Sequence, residues 1–418
     1  MSISYLSRND FPKSKSEFYS DLAAGLTVAI VALPLAIGFA VTTGMSAASG
    51  ITTAIIAGFI AALFGGSRYQ VSGPTGAMTV VLIPIVTQYG VTAIPALGVM
   101  AGLIVVIAAI CRAGSIINRV PWAVVEGFTV GIALVIALQQ IPLALDIPKG
   151  SGDRTYLVAW HTLQDAIDAG INWSSITAVI LTLVVKFNYP KLAHRYKFKV
   201  HIPASIVAIL IITAGSLAFD LNLNSIGDIP RSIGTWSVDL IELNSLGHLI
   251  LPAALIAILA AIESLLSARV ADGMVHAQGS EKYDPNKELF GQGLATIGSS
   301  LFGGMPATGA IARTSVNVRN HAKSRVASMA HAMILLLIVL LLAPVVSAIP
   351  TAAIAGVLIG TSYRILNPAS IRESLKTTYA EASVLVITAS VTLLIDLIWG
   401  IGVGIVAHFV AKLVNRGR

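Results

Sequence analysis

Residues Leu63-Phe64-Gly65-Gly66 precede the stretch Pro74-Thr75-Gly76-Ala77, and the same order returns as Leu301-Phe302-Gly303-Gly304 followed by Pro306-Ala307-Thr308-Gly309-Ala310. Each copy opens a short apolar run, residues 75–88 in the first and 308–318 in the second. A helix needs about 20 mostly apolar residues to cross a bilayer, so neither run is an ordinary span. One shared tetrapeptide means little in a chain rich in Gly and Leu. A shared motif, a shared Pro-containing break and a shared short helix at corresponding places read as an internal repeat.

Composition sets the surroundings of that repeat. Of 418 residues, 56% are hydrophobic and 11% charged, whereas soluble domains carry about 25% charged residues. Mean hydropathy is +0.83. No water-soluble fold of this size covers its surface with so few charges, so the chain reads as a polytopic membrane protein. Its apolar runs are long and unbroken, unlike the short alternating segments of a membrane β-barrel, and the fold class is therefore all-α. Runs bounded by Gly, Pro and charges fall at 22–42, 50–65, 75–88, 93–111, 121–143, 173–187, 202–219, 248–268, 288–303, 308–318, 326–347, 350–361, 380–398 and 400–414. That predicts about 14 segments. The single cysteine, Cys111, excludes an intrachain disulfide or a multi-cysteine metal site. The residues through Ser16 are polar and basic with no cleavage-site pattern, so no cleaved signal peptide is expected.

The net charge of +7 resolves into topology. With both termini cytoplasmic, the inner loops carry 23 of the 27 basic residues, among them Arg8, Arg68, Arg112, Arg119, the loop from Lys186 to Lys199, Lys287, Arg319, Lys323 and Arg364. Outer loops hold Lys149, Arg154 and Arg231 beside the acids Asp146, Asp153, Asp165, Asp168, Asp220, Asp228, Asp239 and Glu242. This is the positive-inside pattern, and it calls for no nucleic-acid partner. A multi-pass inner (plasma) membrane location with cytoplasmic N- and C-termini follows. One basic residue, Arg313, is left within a span.

Seven segments per half start the second half on the opposite side of the membrane. That is an inverted repeat, and interrupted helices at matching places mark the substrate site of such transporters. A half-helix that begins near the midplane aims unpaired N–H groups and its positive dipole end into a cavity. Two such ends facing one another make an anion site from backbone alone. Gly76 and Gly309 allow close approach, and Pro74 and Pro306 suit backbone that is not yet helical. The competing reading of these glycines is tight helix packing.

Ionisable residues inside spans are costly and functional by default. Arg313 stays charged and offers five donors in a fork, which favours an anion; the competing reading has it snorkel to the cytoplasmic face beside Arg319 and Lys323. Glu263, with Ser264 beside it and Ser267 one turn later, can take a proton, bind Na⁺ or serve as counter-charge to Arg313. Glu126 and Asp396 sit near the ends of their runs, where solvation explains them. Gln139, Gln140 and Asn317 read as polar groups bonded between helices. The eight histidines show no metal-ligand spacing, so neither a metal centre nor a cofactor is expected, and no catalytic constellation marks an enzyme.

The stretches Asp21–Pro34, Val71–Thr79, Asn286–Gly293 and Pro306–Asn317, with Asp396, resemble the SulP family of anion transporters, relatives of the prestin and pendrin exchangers. The resemblance covers nearly the whole chain. It implies a UraA-like fold of 14 transmembrane segments in a seven-plus-seven inverted repeat with core and gate domains. Residues 1–20 would be a cytoplasmic segment, 21–220 the first repeat, 221–246 an outer linker and 247–418 the second repeat. Spans 1–4 and 8–11 would form the core; spans 5–7 and 12–14 would form the gate, against which the core moves like an elevator. Carried over, the substrate site takes Thr75, Gly76 and Ala77 from the third span, and Gly309, Ala310, Ile311 and Arg313 from the tenth. Glu263 and Ser267 occupy the places that help bind Na⁺ in cyanobacterial bicarbonate members. Those members carry Asp where Glu263 stands and lack an arginine at 313, which tilts the expected coupling from Na⁺ toward H⁺. Many members have Gln where Leu35 stands. Most members continue into a cytoplasmic STAS domain; this sequence stops at Arg418, straight after the last span, so it either lacks that domain or was cut short of it, and homodimerisation is usual in the family.

The function expected is secondary active transport of a small inorganic or carboxylate anion: bicarbonate, sulfate, chloride, nitrate or a dicarboxylate such as fumarate. The alternatives are a nucleobase/H⁺ symporter of the same fold, against which Arg313 argues, and an uncoupled anion channel.

Overall fold

The computed structural model describes residues 7–117, 120–152, 154–196, 202–236, 246–275, 282–366, 368, 371–372, 375, 378–395 and 397–416. Asp396 lies outside the described residues, as do Arg119, Asp153, Lys197, Lys199, Asp239, Glu242, Lys376 and Arg418. The fold is that of an all-α polytopic membrane protein. Its first half runs α1 (Lys15–Thr43), α2 (Ala47–Phe64), β1 (Ser72–Gly73), α3 (Gly76–Tyr89), α4 (Ile94–Ile110), α5 (Trp122–Gln139), α6 (Thr155–Ala169), α7 (Trp173–Arg195) and α8 (Ala204–Ala218). The second half runs α9 (Leu246–Val275), α10 (Pro285–Leu301), β2 (Thr308–Gly309), α11 (Ile311–Arg319), α12 (Val326–Ser347), α13 (Thr351–Leu366), α14 (Tyr379–Leu394) and α15 (Leu397–Arg416).

The boundaries follow from capping. Ser14 accepts the Glu17 amide, which starts α1 a turn or two before the apolar run at residue 22, and Gly44 ends it with φ 91°. The Leu-Phe-Gly-Gly copies mark equivalent stops: α2 ends at Phe64 and α10 at Leu301. Each stop leads into a two-residue strand and then a short helix, as the repeat requires.

One element went unread in the sequence. Residues 155–169, expected as outer loop, form helix α6. Its buried side is Ala159, Thr162 and Ala166, while Trp160, Leu163 and Ile167 are exposed on another and Gln164, Asp165 and Asp168 on a third. Tyr156, Trp160, Leu163 and Ile167 recur at helical spacing opposite Gln164, Asp165 and Asp168, so the amphipathic signal was present in a segment that its acids and shortness had marked as loop.

The chain divides into two compact units, Met1–Asn118 with Ile226–Ala348, and Arg119–Ser225 with Ile349–Arg418. The first holds α1–α4 and α9–α12. Its helices pack through small residues, α10 against α4 and α2, and α12 against α1 and α2. At the α4–α10 crossing two glycines meet backbone to backbone. A Cβ on Gly102 would lie 2.7 Å from the Gly293 carbonyl, and one on Gly293 would lie 2.7 Å from that of Gly102. At one end of the unit buried Asp21 accepts from the Lys323 and Ser324 amides at 2.6 and 3.1 Å and from the Ser324 hydroxyl at 2.6 Å, tying α1 to the turn before α12. Asp10 pairs with Arg325 at 2.9 Å and Arg68 at 3.4 Å. Burial pushes the Asp10 carboxyl up, but the Ser7 amide and the Arg325 charge outweigh it and hold the group below the usual carboxylate range.

The second unit holds α5–α8 and α13–α15, and it corrects one expectation. Arg313 is not the only basic residue within a span, because Lys186 belongs to α7 and not to the loop that follows. It is 1% exposed, its ammonium donates to the Val357 carbonyl and the Thr361 hydroxyl at 2.6 Å each, and its stem lies on Gly360 of α13. A long stem over a glycine with a satisfied head is how a membrane helix accommodates a lysine.

Replacing Gly102 with alanine forces α4 and α10 apart, with no flexible neighbour to give way. The expected cost is about 1–3 kcal/mol, read as a lower melting temperature of the detergent-solubilised protein, while Gly215→Ala, which faces open space, leaves it unchanged.

Candidate functional site

The two breaks meet inside the first unit. Strand β1 pairs antiparallel with β2, Ser72 opposite Gly309 and Gly73 opposite Thr308. Helix α3 leaves this bridge at Gly76 with Thr75 as N-cap, whose hydroxyl accepts the Met78 amide at 3.4 Å. Helix α11 leaves it at Ile311, with Ala310 at the N-cap and no side-chain cap. The repeated Thr-Gly-Ala triplet thus takes two forms: Thr75 caps a helix directly, whereas Thr308 lies in a strand and its helix starts later.

Broken backbone in an apolar surrounding must find partners, and here polar side chains supply them. The Val71 amide donates to Thr314 Oγ1 at 3.0 Å and the Gly309 amide to Ser264 Oγ at 3.0 Å. The Ala307 carbonyl accepts from Gln292 at 2.9 Å and Thr296 at 3.1 Å, and the Met305 amide donates to Thr53 at 2.8 Å. Glu288 Oε2 accepts from the Gly66 and Ser67 amides at 2.8 Å each, and its Oε1 from Gln70 at 2.7 Å. Asn317 donates to the Tyr69 carbonyl at 2.8 Å and, between α11 and α12 as expected, to Ser328 Oγ at 3.2 Å. Gln140 donates to the Ile136 carbonyl at 3.3 Å, and Gln139 Nε2 has no partner among the described residues.

Two charged side chains reach the bridge. Glu263 of α9 is partly exposed, and its Oε2 accepts from Thr75 Oγ1 at 2.8 Å and Thr308 Oγ1 at 2.7 Å; the two hydroxyl oxygens lie 3.1 Å apart. The equivalent threonines of the two repeats therefore converge on one carboxylate oxygen. Arg313 of α11 is 1% exposed and turns inward. Its Nη2 donates to the Pro74 carbonyl, and its Nη1 has no hydrogen-bond partner among the described residues. A Cβ on Gly73 would come within 2.5 Å of that Nη1, so only glycine lets the guanidinium lie against the strand.

Of the residues singled out in the sequence, Thr75, Gly76, Ala77, Gly309, Ala310, Ile311, Arg313 and Glu263 gather at this bridge. Ser267 does not reach the carboxylate in the same way: its hydroxyl donates to Thr314 at 2.9 Å. Thr308, Ser264 and Thr314 were missed as site residues. The signal for Thr308 was present in the repeat itself, as the counterpart of Thr75. Ser264 and Thr314 carried none, since a hydroxyl in an apolar helix usually bonds its own backbone.

Half-helices meeting at a buried bridge, with a guanidinium and a carboxylate beside them, define a membrane transporter of the inverted-repeat class. The sequence matches the model of the sulfate permease family over residues 18–388, and the chain belongs to that family. It is similar to the putative sulfate transporter YvdB of Bacillus subtilis (35% identity, covering 94% of this chain and 73% of that one). It is also similar to the bicarbonate transporter BicA of Picosynechococcus (31% identity, 95% and 70%). In fold it matches the transmembrane domain of a cyanobacterial BicA, with TM-score 0.82 at 24% identity over 96% of this chain and 99% of that one. SLC26A9 matches with TM-score 0.84 at 16% identity, over 97% and 66%. These relatives are transporters, not enzymes.

Glu288→Ala strands three donors that the carboxylate now satisfies. Each unsatisfied buried group costs about 1–3 kcal/mol, so the variant is expected to lose most of its folded yield in size-exclusion profiles, whereas Glu288→Gln, which keeps an acceptor, retains more.

Proposed function

We propose that this protein is a secondary active transporter that moves a small anion across the plasma membrane with protons, both termini facing the cytoplasm. Bicarbonate, sulfate, chloride or a dicarboxylate such as fumarate is the substrate class. The unit carrying the bridge acts as the transport core and the other as the gate, the core moving by elevator-type alternating access, in a protein that assembles as a homodimer. The observation that carries the reading is the unpartnered Arg313 Nη1 beside two helix N-termini, one of them uncapped. Positive ends with donors to spare stabilise an anion. The sulfate and bicarbonate transporters among its relatives support the same substrate class.

Coupling to protons rests on the oxygens around Glu263. Glu263 Oε2, Thr75 Oγ1 and Thr308 Oγ1 form a triangle with edges of 2.8, 2.7 and 3.1 Å. Two hydroxyl protons serve only two edges of that triangle. A proton on the carboxylate serves the third and closes the ring. The same oxygens would suit Na⁺, but Ser267, the expected further ligand, is engaged with Thr314.

The test is uptake of labelled sulfate and bicarbonate by the purified protein in liposomes, with and without pH and Na⁺ gradients. Arg313→Ala is expected to raise the half-saturating anion concentration about 10–100-fold, the worth of charge-assisted hydrogen bonds, with Arg313→Lys between the two. Unchanged uptake by Arg313→Ala refutes the site. Glu263→Gln is expected to abolish stimulation by an inward proton gradient; stimulation by Na⁺ alone would replace the proton with sodium.

A further inference from the structure

Near the bridge, the unmet polar groups extend beyond Arg313. Among the described residues, Asn317 Oδ1 and both ring nitrogens of His331 also lack a partner, and Asn317 and His331 are each 0% exposed. Arg313 and Asn317 lie one turn apart on α11, while Ser328 and His331 share a face of α12. Asn317 Nδ2 donates to Ser328 Oγ at 3.2 Å, which clamps the two helices. Gly58 of α2 leaves a gap there: a Cβ on it would sit 3.4 Å from the Ser72 carbonyl and 3.7 Å from His331 Cδ2. The next residue of that strand, Gly73, is the one against which Arg313 Nη1 rests. The unsatisfied imidazole thus lies across Gly58 from Ser72, and the unsatisfied guanidinium N–H lies on the neighbouring Gly73. Helix α2 carries no ionisable side chain; of the two carboxylates of α1, Asp21 is engaged with the Ser324 turn and Glu17 accepts the Lys13 amide in the first turn.

A neutral imidazole has one N–H and one lone pair, and buried groups of this kind are satisfied by water wherever two to four polar atoms converge. We propose that Arg313, Asn317 and His331 line an inner compartment holding ordered water, distinct from the Glu263 side of the bridge. His331 is a positioning residue: through that water it fixes the direction in which the guanidinium presents its free N–H to the anion. The inference deepens the reading of Arg313 given above and rests on it.

Two measurements test it. In liposome uptake of labelled sulfate and bicarbonate, His331→Phe, which keeps the ring's bulk and removes both nitrogens, is expected to raise the half-saturating concentration about ten-fold, roughly the worth of one hydrogen bond, with maximal rate within about two-fold. His331→Gln, which retains a donor and an acceptor, is expected to recover most of that loss. Equal half-saturation in the phenylalanine variant and the unmodified protein overturns the positioning role, as does an equal loss in both variants. The second measurement is solvent density in a high-resolution structure of the unmodified protein. Water within hydrogen-bond reach of Arg313 Nη1 and a His331 nitrogen supports the compartment; an anion there, or no density, overturns it. This arm needs neither a variant nor transport, so it decides the compartment separately. Failure of every anion to be taken up would sink the transport reading alone.

Discussion

The constraint on which everything else depends is that peptide groups in hydrocarbon must be satisfied within the protein. Two helices stop short in the middle of one unit, and each stop releases N–H and C=O groups with no water to take them. The pairing of Ser72–Gly73 with Thr308–Gly309 satisfies some. Hydroxyls and amides of the surrounding helices and of α11 itself satisfy many of the rest: Thr53 from α2, Ser264 from α9, Gln292 and Thr296 from α10, and Thr314 from α11. Among the described residues, the buried side-chain atoms near the bridge that keep no partner include Gln70 Oε1, Arg313 Nη1, Asn317 Oδ1 and both His331 ring nitrogens. A donor already bonded within the protein has little left to offer an incoming ion, which is why the proposed site is read from the unbonded ones.

The repeat also shows how one sequence motif can serve two structural ends. Thr75 and Thr308 head matching triplets, yet Thr75 caps its helix at once while Thr308 continues as strand. The difference is local: Pro74 directly precedes the first threonine, whereas Ala307 separates Pro306 from the second. Both hydroxyls still reach Glu263, a residue of the second half alone. A symmetric pair of donors therefore serves an asymmetric acceptor, and a single carboxylate senses both broken helices.

Much of this was legible in the sequence. Charge scarcity marked the membrane, the Leu-Phe-Gly-Gly and Thr-Gly-Ala copies marked the breaks, and Arg313 in a short span pointed to the bridge where they meet. The strand pairing was not legible, because two residues carry no periodicity. Lys186 was misplaced because it stands close to a run of basic residues, and only the glycine face of α13 shows that a lysine can be housed there. Helix α6 was missed because its acids, Asp165 and Asp168, were read as loop charges although the apolar residues around them keep helical spacing. His331 drew no attention because a histidine is notable in sequence only when others stand at ligand spacing, whereas here its setting among unpaired atoms is what marks it.

The unit that carries the bridge is discontinuous in the chain, its first part ending at Asn118 and its second beginning at Ile226. During synthesis, β1 leaves the ribosome long before β2 exists. Contacts this distant are slow to form, and an exposed strand edge is a hazard while it waits. The early-made helices must therefore linger in the bilayer with open backbone at their centre until α9 to α11 arrive. A ribosome stalled anywhere before Gly309 leaves a half-built core, which gives cellular quality control a long interval in which to find it.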